Sequence, residues 1–174
     1  MSVRLYVPGD WDALRESVAI SRLTIEAGVG PLTFGFTGHV VTDELRAALP
    51  ELDDEELEHY VVTEAAQESL RHFRDEGEPP RRLVLVFEVD AVERRPESLT
   101  AAATAAPVRV PEDVVAWLVD TEDAAEDVDA AASAVRVDTD GEWREETRRA
   151  VEACLEHDLA WYAASEADVV LALS

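Results

Sequence analysis

Five consecutive apolar residues, Leu83-Val84-Leu85-Val86-Phe87, follow the pair Arg81-Arg82 and precede Glu88. Successive side chains on a strand point to opposite faces, so this run has no polar face to offer to water. It predicts a central strand, covered on both sides. Everything else in the chain has to be arranged so that such a strand is buried.

The flanking segments supply the material. Val3–Val7 alternates Val, Leu and Val with Arg4 and Tyr6, the pattern of a half-buried strand. Asp10 caps a helix with Trp11, Leu14 and Val18 on one stripe, and Thr33–Val41 predicts a second strand that Gly35 and Gly38 weaken or bulge. Thr42 caps a short helix ended by Pro50. Asp53 with Glu56 forms a capping-box pattern that opens a long helix over about 53–75, which Pro79-Pro80 separates from the apolar run. Residues 97–106, rich in alanine, predict a mobile low-complexity loop. Strands are expected at Val108–Val110, Val114–Val119 and Leu159–Ala163. Between the last two lie a helix capped by Asp120 or Thr121, a turn at Asp138-Thr139-Asp140-Gly141, and a helix carrying Trp143, Thr147, Val151 and Cys154.

This order predicts a single α+β domain over residues 1–174, an α/β sandwich. Its expected core is one mixed sheet of about five strands packed with three to four helices, with a ferredoxin-like plan as the alternative. The stretch near 121–146 is acidic and expected to be largely helical.

The chemistry available is narrow. The chain has 15 arginines but no lysine and no asparagine, one cysteine, and 39 Asp plus Glu, for a net charge of −24. Missing lysine excludes Schiff-base and P-loop lysine chemistry, and one cysteine excludes an internal disulfide or a Cys-rich zinc site. The acidity argues against nucleic acid and against an anionic membrane surface as partners. No apolar run approaches the ~20 residues of a membrane span, and the first residues lack a signal-peptide pattern, so a cytoplasmic location is expected. Absent Lys and Asn with abundant Ala suggest a high-GC genome, and the excess of acids suggests adaptation to a salt-rich cytoplasm.

Several segments together resemble one family. They are Val3-Arg4-Leu5-Tyr6-Val7-Pro8, Val41-Thr42-Asp43-Glu44-Leu45, Glu55-Glu56-Leu57-Glu58-His59-Tyr60, Ser69-Leu70, Arg81-Arg82-Leu83-Val84 and Asp158-Leu159-Ala160-Trp161-Tyr162. Nearly end to end, the chain resembles a family of small uncharacterised actinobacterial proteins, a domain of unknown function. The resemblance implies a soluble intracellular protein and brings no assigned activity or catalytic residue. It implies His-Val-Asp where this chain has Leu118-Val119-Asp120, and by the same resemblance the acidic helical stretch near 121–146 is an insertion.

Candidate site residues fall into three groups. Asp10, Glu88, Asp90 and Asp120 stand at predicted strand ends and would converge on a hard divalent cation if those strands were parallel neighbours. Glu58 falls in the middle of the apolar stripe of the long helix, with Arg81 and Arg82 the nearest cations in sequence. Trp161 and Tyr162 point to opposite faces of their strand, and either, with Tyr6, would make an aromatic contact surface.

Other patterns fail. Glu56-x-x-His59 has no second copy for a di-iron site, and the Asp138–Gly141 turn lacks calcium-loop ligands at its first and last positions. Glu68 and His72 form an expected surface pair, and Cys154 an inert core thiol. The expected function is therefore a non-catalytic protein that acts through protein contacts or small-ligand binding, with no cofactor. The alternatives are a metal-assisted hydrolase using the strand-end carboxylates and an acidic mimic of DNA.

Overall fold

The computed structural model describes residues 2–30, 32–73, 80–138 and 143–174. The chain runs through β1 (Val3–Pro8), α1 (Trp11–Glu26), β2 (Thr33–Phe34), β3 (Thr37–His39), α2 (Asp43–Ala48) and α3 (Asp54–Ser69). It continues with β4 (Leu83–Val89), β5 (Val92–Arg94), β6 (Ala101–Thr104), β7 (Val108–Arg109) and β8 (Val114–Asp120). Last come α4 (Ala125–Val137), α5 (Glu145–Leu155), β9 (Leu159–Ala163) and α6 (Ala167–Leu171).

Seven strands form one sheet in the order β5-β6-β3-β1-β4-β8-β9, and β2 pairs with β7 in a separate ribbon. Each pairing is antiparallel. The fold is thus α+β, with a larger sheet than expected and antiparallel rather than mixed strands. A ferredoxin-like plan needs a parallel central pair, whereas β1 and β4 run antiparallel from Val3 opposite Val89 to Pro8 opposite Val84.

The apolar run is β4, between β1 and β8, and its two faces feed two cores. Leu83, Leu85 and Phe87 pack with Leu5, Val7, Trp117 and Val119 under Trp11, Leu14 and Val18 of α1 and Val170 of α6. Val84 and Val86 pack with Tyr6, Ala116 and Leu118 under Leu57, Val61, Ala65 and Ala66 of α3. Each such fully buried side chain contributes about 1.5–3 kcal/mol of transfer free energy. A third cluster joins α4 and α5 to Leu70 through Val128, Ala131, Val135, Val151 and Cys154.

Local signals set the helix starts. Asp10 accepts from the Ala13 amide at 2.9 Å, Thr42 accepts from the Leu45 amide at 3.0 Å, and Asp53 with Glu56 forms a complete capping box. The α-helical part of α3 ends earlier than expected, at Ser69, and tightens into a 3₁₀ turn over Leu70–His72. The rest of the expected helix end, Pro79, and Thr139-Asp140-Gly141 of the expected turn lie outside the described residues.

The alanine-rich segment expected as a mobile loop contains strand β6. It is held between β3 and β5, with Ala102 fully buried opposite Gly38 and Arg94. Ladder hydrogen bonds and burial override the weak strand propensity of alanine. Gly38 is needed for close approach, because a Cβ there would lie 2.3 Å from the Tyr6 carbonyl oxygen.

Candidate functional site

Helix α3 covers β1, β4 and β8 on one side of the sheet, but β9, the edge strand beyond them, is left partly open. The result is a groove of about 360 Å³ bounded by α3, the exposed part of β1, and the turn that enters β9. Trp161 pairs across the ladder with Leu118, so both side chains project to the α3 side of the sheet. There the Trp161 side of the groove is open to solvent, the residue being 58% exposed.

One wall is a hydrogen-bonded triad. Arg4 and Tyr6 alternate with buried Leu5 on β1 and so share the face under α3. Arg4 Nη1 donates to Glu58 Oε1 at 2.8 Å, and the Tyr6 hydroxyl donates to the same oxygen. Burial raises the pKa of Glu58, but the bonds from Tyr6 and Arg4 outweigh it and hold the carboxyl below its usual range. Burial, and then the bond to Glu58, push the Tyr6 phenol far above its usual value. The triad therefore holds a neutral phenol against an ionised carboxylate. Glu58 does not pair with Arg81 or Arg82, the partners expected from nearness in sequence, because the sheet brings β1 beneath the first turns of α3.

The floor is an enclosed ion pair. Arg82, just before β4, and Asp120, at the end of β8, are 1% and 0% exposed at their side chains. Arg82 Nη2 donates to Asp120 Oδ1 at 2.7 Å and Nε donates to Oδ2 at 2.9 Å. Burial lowers the Arg82 pKa, but the hydrogen bond and charge of Asp120 raise it further, so it stays a cation. Arg82 Nη2 also donates to the His157 carbonyl at 2.8 Å, and the His157 ring lies 2.8 Å from Asp127. Both ends of His157 are thereby tied, which fixes the turn leading into Trp161.

Of the residues singled out from sequence, Glu58, Tyr6, Arg82 and Trp161 line this groove. Arg81 sits beside it, donating to the Asp120 carbonyl at 2.9 Å while its own carbonyl accepts from the Trp11 indole. Tyr162 packs on the opposite core, under α1 and α6. Sequence reasoning missed Arg4, Glu55, His59, His157 and Asp158, which also line the groove. Arg4 was within reach, since it stands two residues from Tyr6 on an alternating strand.

The strand-end carboxylates do not gather. Because β4 runs against β1 and β8, Asp10 and Asp120 stand at one end of the sheet and Glu88 and Asp90 at the other. Asp10 caps α1, while Asp120 is locked by Arg82 rather than capping the following helix. Glu88 and Asp90 line a separate concavity with Glu112 and Asp113, where Asp113 pairs with Arg109. Among the described residues no group of three or more His, Cys, Asp or Glu is placed to hold a metal ion.

Two further groups are internal. His39 is buried between Thr100 and Glu68, 2.8 Å from each, so Glu68 pairs with His39 rather than with His72. The His72 ring lies 3.1 Å from the Gly9 carbonyl instead. Cys154 is fully buried in the α4–α5 cluster, and burial pushes its thiol up to about 11. No described helix is long and apolar enough to cross a membrane.

The chain belongs to a family of unknown function (DUF6912), whose model matches residues 3–171. No curated protein and no solved structure matches it.

Proposed function

We propose that this protein is a non-catalytic binding module that holds a small molecule in the groove between α3 and β9. The observation that carries this reading is the half-open indole of Trp161 beside a pre-formed hydrogen-bonded triad, in a concavity of about 360 Å³. Ligand sites are typically concave and mostly apolar, with a few fixed polar groups. Here Val62, Ala66, Leu118, Leu155 and Leu159 supply the apolar surface, and Glu58, Tyr6 and Arg4 the fixed polar groups. The Arg82–Asp120 pair beneath is closed to solvent and multiply hydrogen-bonded, so its part is to hold the floor rigid. An aromatic ring with a few polar substituents is the shape that fits.

The setting we propose is a salt-rich actinobacterial cytoplasm, with neither nucleic acid nor membrane as a target. The charge of −24 and the absence of lysine support that setting. The test is a fragment screen read on the indole N–H signals of the four tryptophans by nuclear magnetic resonance. Saturable shifts of the Trp161 signal, lost in Glu58→Ala, are expected. A screen in which ligands move other signals and never Trp161 overturns the reading.

A further inference from the structure

Building on the reading of the groove as a small-molecule site, we infer that its ligand class is an organic cation: an amine attached to a flat apolar body. The inference rests on which charges around the groove are already spent. Two arginines line it, and both are engaged. Arg82 is enclosed by Asp120 and the His157 carbonyl, and Arg4 donates to Glu58. An incoming anion would meet arginines whose charge Glu58 and Asp120 already offset, with further carboxylates beside them.

Among the carboxylates, Glu58 is paired but keeps one oxygen open, and two others have no side-chain partner among the described residues. Both donors to Glu58 use Oε1, and no protein donor reaches Oε2 among the described residues. Glu55, on the preceding turn of α3, and Asp158, on the turn before β9, also line the groove. No side-chain hydrogen bond or ion pair holds either of them among the described residues. These three acids reach the groove from two elements, α3 and the β9 turn.

Trp161 is an independent observation that points the same way. Its indole is the largest open apolar surface on the groove, and indole is the ring that attracts a cation most strongly over its face. An ammonium lying between the Trp161 face and the carboxylates would be held by both. Its carbon body would then lie along Leu118, Val62 and Leu159.

The experiment uses three probes of one shape and different charge on the full chain: 2-phenylethylamine, 2-phenylethanol and 3-phenylpropionate. Binding is read on the Trp161 indole signal and by calorimetry in 50 mM KCl. The amine is expected to bind at least tenfold more tightly than the carboxylate, with the alcohol between them. Glu58→Gln, which keeps an acceptor for Arg4 and Tyr6, should narrow the amine's advantage at least threefold. The exposed change Asp158→Asn, which leaves the triad intact, should narrow it too, so the test survives a misfolded Glu58 variant.

Equal or tighter binding of the alcohol or the carboxylate at Trp161 overturns the inference and leaves the small-molecule reading standing. An amine response that fails to saturate, or survives Trp161→Ala unchanged, is adsorption to the acidic surface and also overturns the inference. Failure of all three probes to shift Trp161 overturns the inference, while the small-molecule reading is decided by the fragment screen.

Discussion

Arg82 and Asp120 face each other across neighbouring strands in a two-pronged ion pair closed to solvent, with a third bond from the Arg82 backbone amide at 2.6 Å. The pair locks the start of β4 to the end of β8, and through His157 it also fixes the entry to β9. One contact thereby places three strands and the floor of the groove.

Removing one partner should be far worse than removing both. Asp120→Leu strands a buried guanidinium and is expected to cost about 3–5 kcal/mol in urea unfolding. The double change Arg82→Met with Asp120→Leu removes the uncompensated charge and should recover most of that loss. Equal destabilisation by the single and double variants would show that shape, rather than charge, sets the cost.

The Tyr6–Glu58 contact makes opposite demands at the two ends of the pH scale. Glu58 is held below its usual pKa, so its contribution is present above ~4.3, the unfolded value, and is lost as pH falls through the lower folded value. Tyr6 is held above its usual pKa, so its contribution is full below ~10 and is lost as pH rises toward the folded value. Glu58→Gln should flatten the acid limb of a stability-versus-pH curve. Tyr6→Phe should leave the folded tyrosinate absorbance unchanged to pH 11 while removing one phenol from the unfolded titration. A loss of folded tyrosinate signal below pH 11 in Tyr6→Phe would contradict the burial of that phenol.

Gly38→Ala tests how tightly β3 approaches β1. The new methyl would meet the Tyr6 carbonyl oxygen at 2.3 Å, so one strand has to move. A stability loss of about 1–3 kcal/mol is expected, as for overpacking. Because Tyr6 is the residue displaced, the Trp161-side groove should also lose affinity for any ligand that contacts the triad. Unchanged stability in thermal unfolding would mean that the strands separate without cost.

Salt should stabilise the fold. Fourteen acids stand in residues 51–58 and 112–129, stretches without an arginine. The screening length shrinks to ~3 Å at 1 M salt, which relieves their repulsion. Tm is expected to rise by about 10 °C between 50 mM and 2 M KCl, equivalent to a gain of about 3 kcal/mol at this chain length. A flat response would assign the acids to a local role at helix starts, where the dipole favours them.

Much of the groove was present in the sequence as separate parts. Glu58 was conspicuous because it interrupts an apolar stripe, and Trp161 because it alternates with Tyr162 on a short strand. Their meeting with Tyr6 was only half visible. Arg4 donates to Glu58 across 54 positions of sequence, and proximity along the chain pointed to Arg81 and Arg82 instead. The strand-end carboxylates misled for a related reason: they converge only if the strands are parallel, and antiparallel pairing sends Glu88 and Asp90 to the far end.

The sequence by itself determined what depends on neighbours a few residues away. The unbroken apolar run of Leu83–Phe87 required an interior strand, Asp10, Thr42 and Asp53 with Glu56 started helices, and helical spacing chose which side chains α1, α4 and α5 bury. Only the tertiary structure decided the strand order, the recruitment of the Ala101–Thr104 segment as β6, and the partners of Glu58 and Asp120. Periodicity records which face a residue turns inward but not which strand lies beside it. Strand order follows from ladder bonds and burial between distant segments, whose energies no local pattern contains.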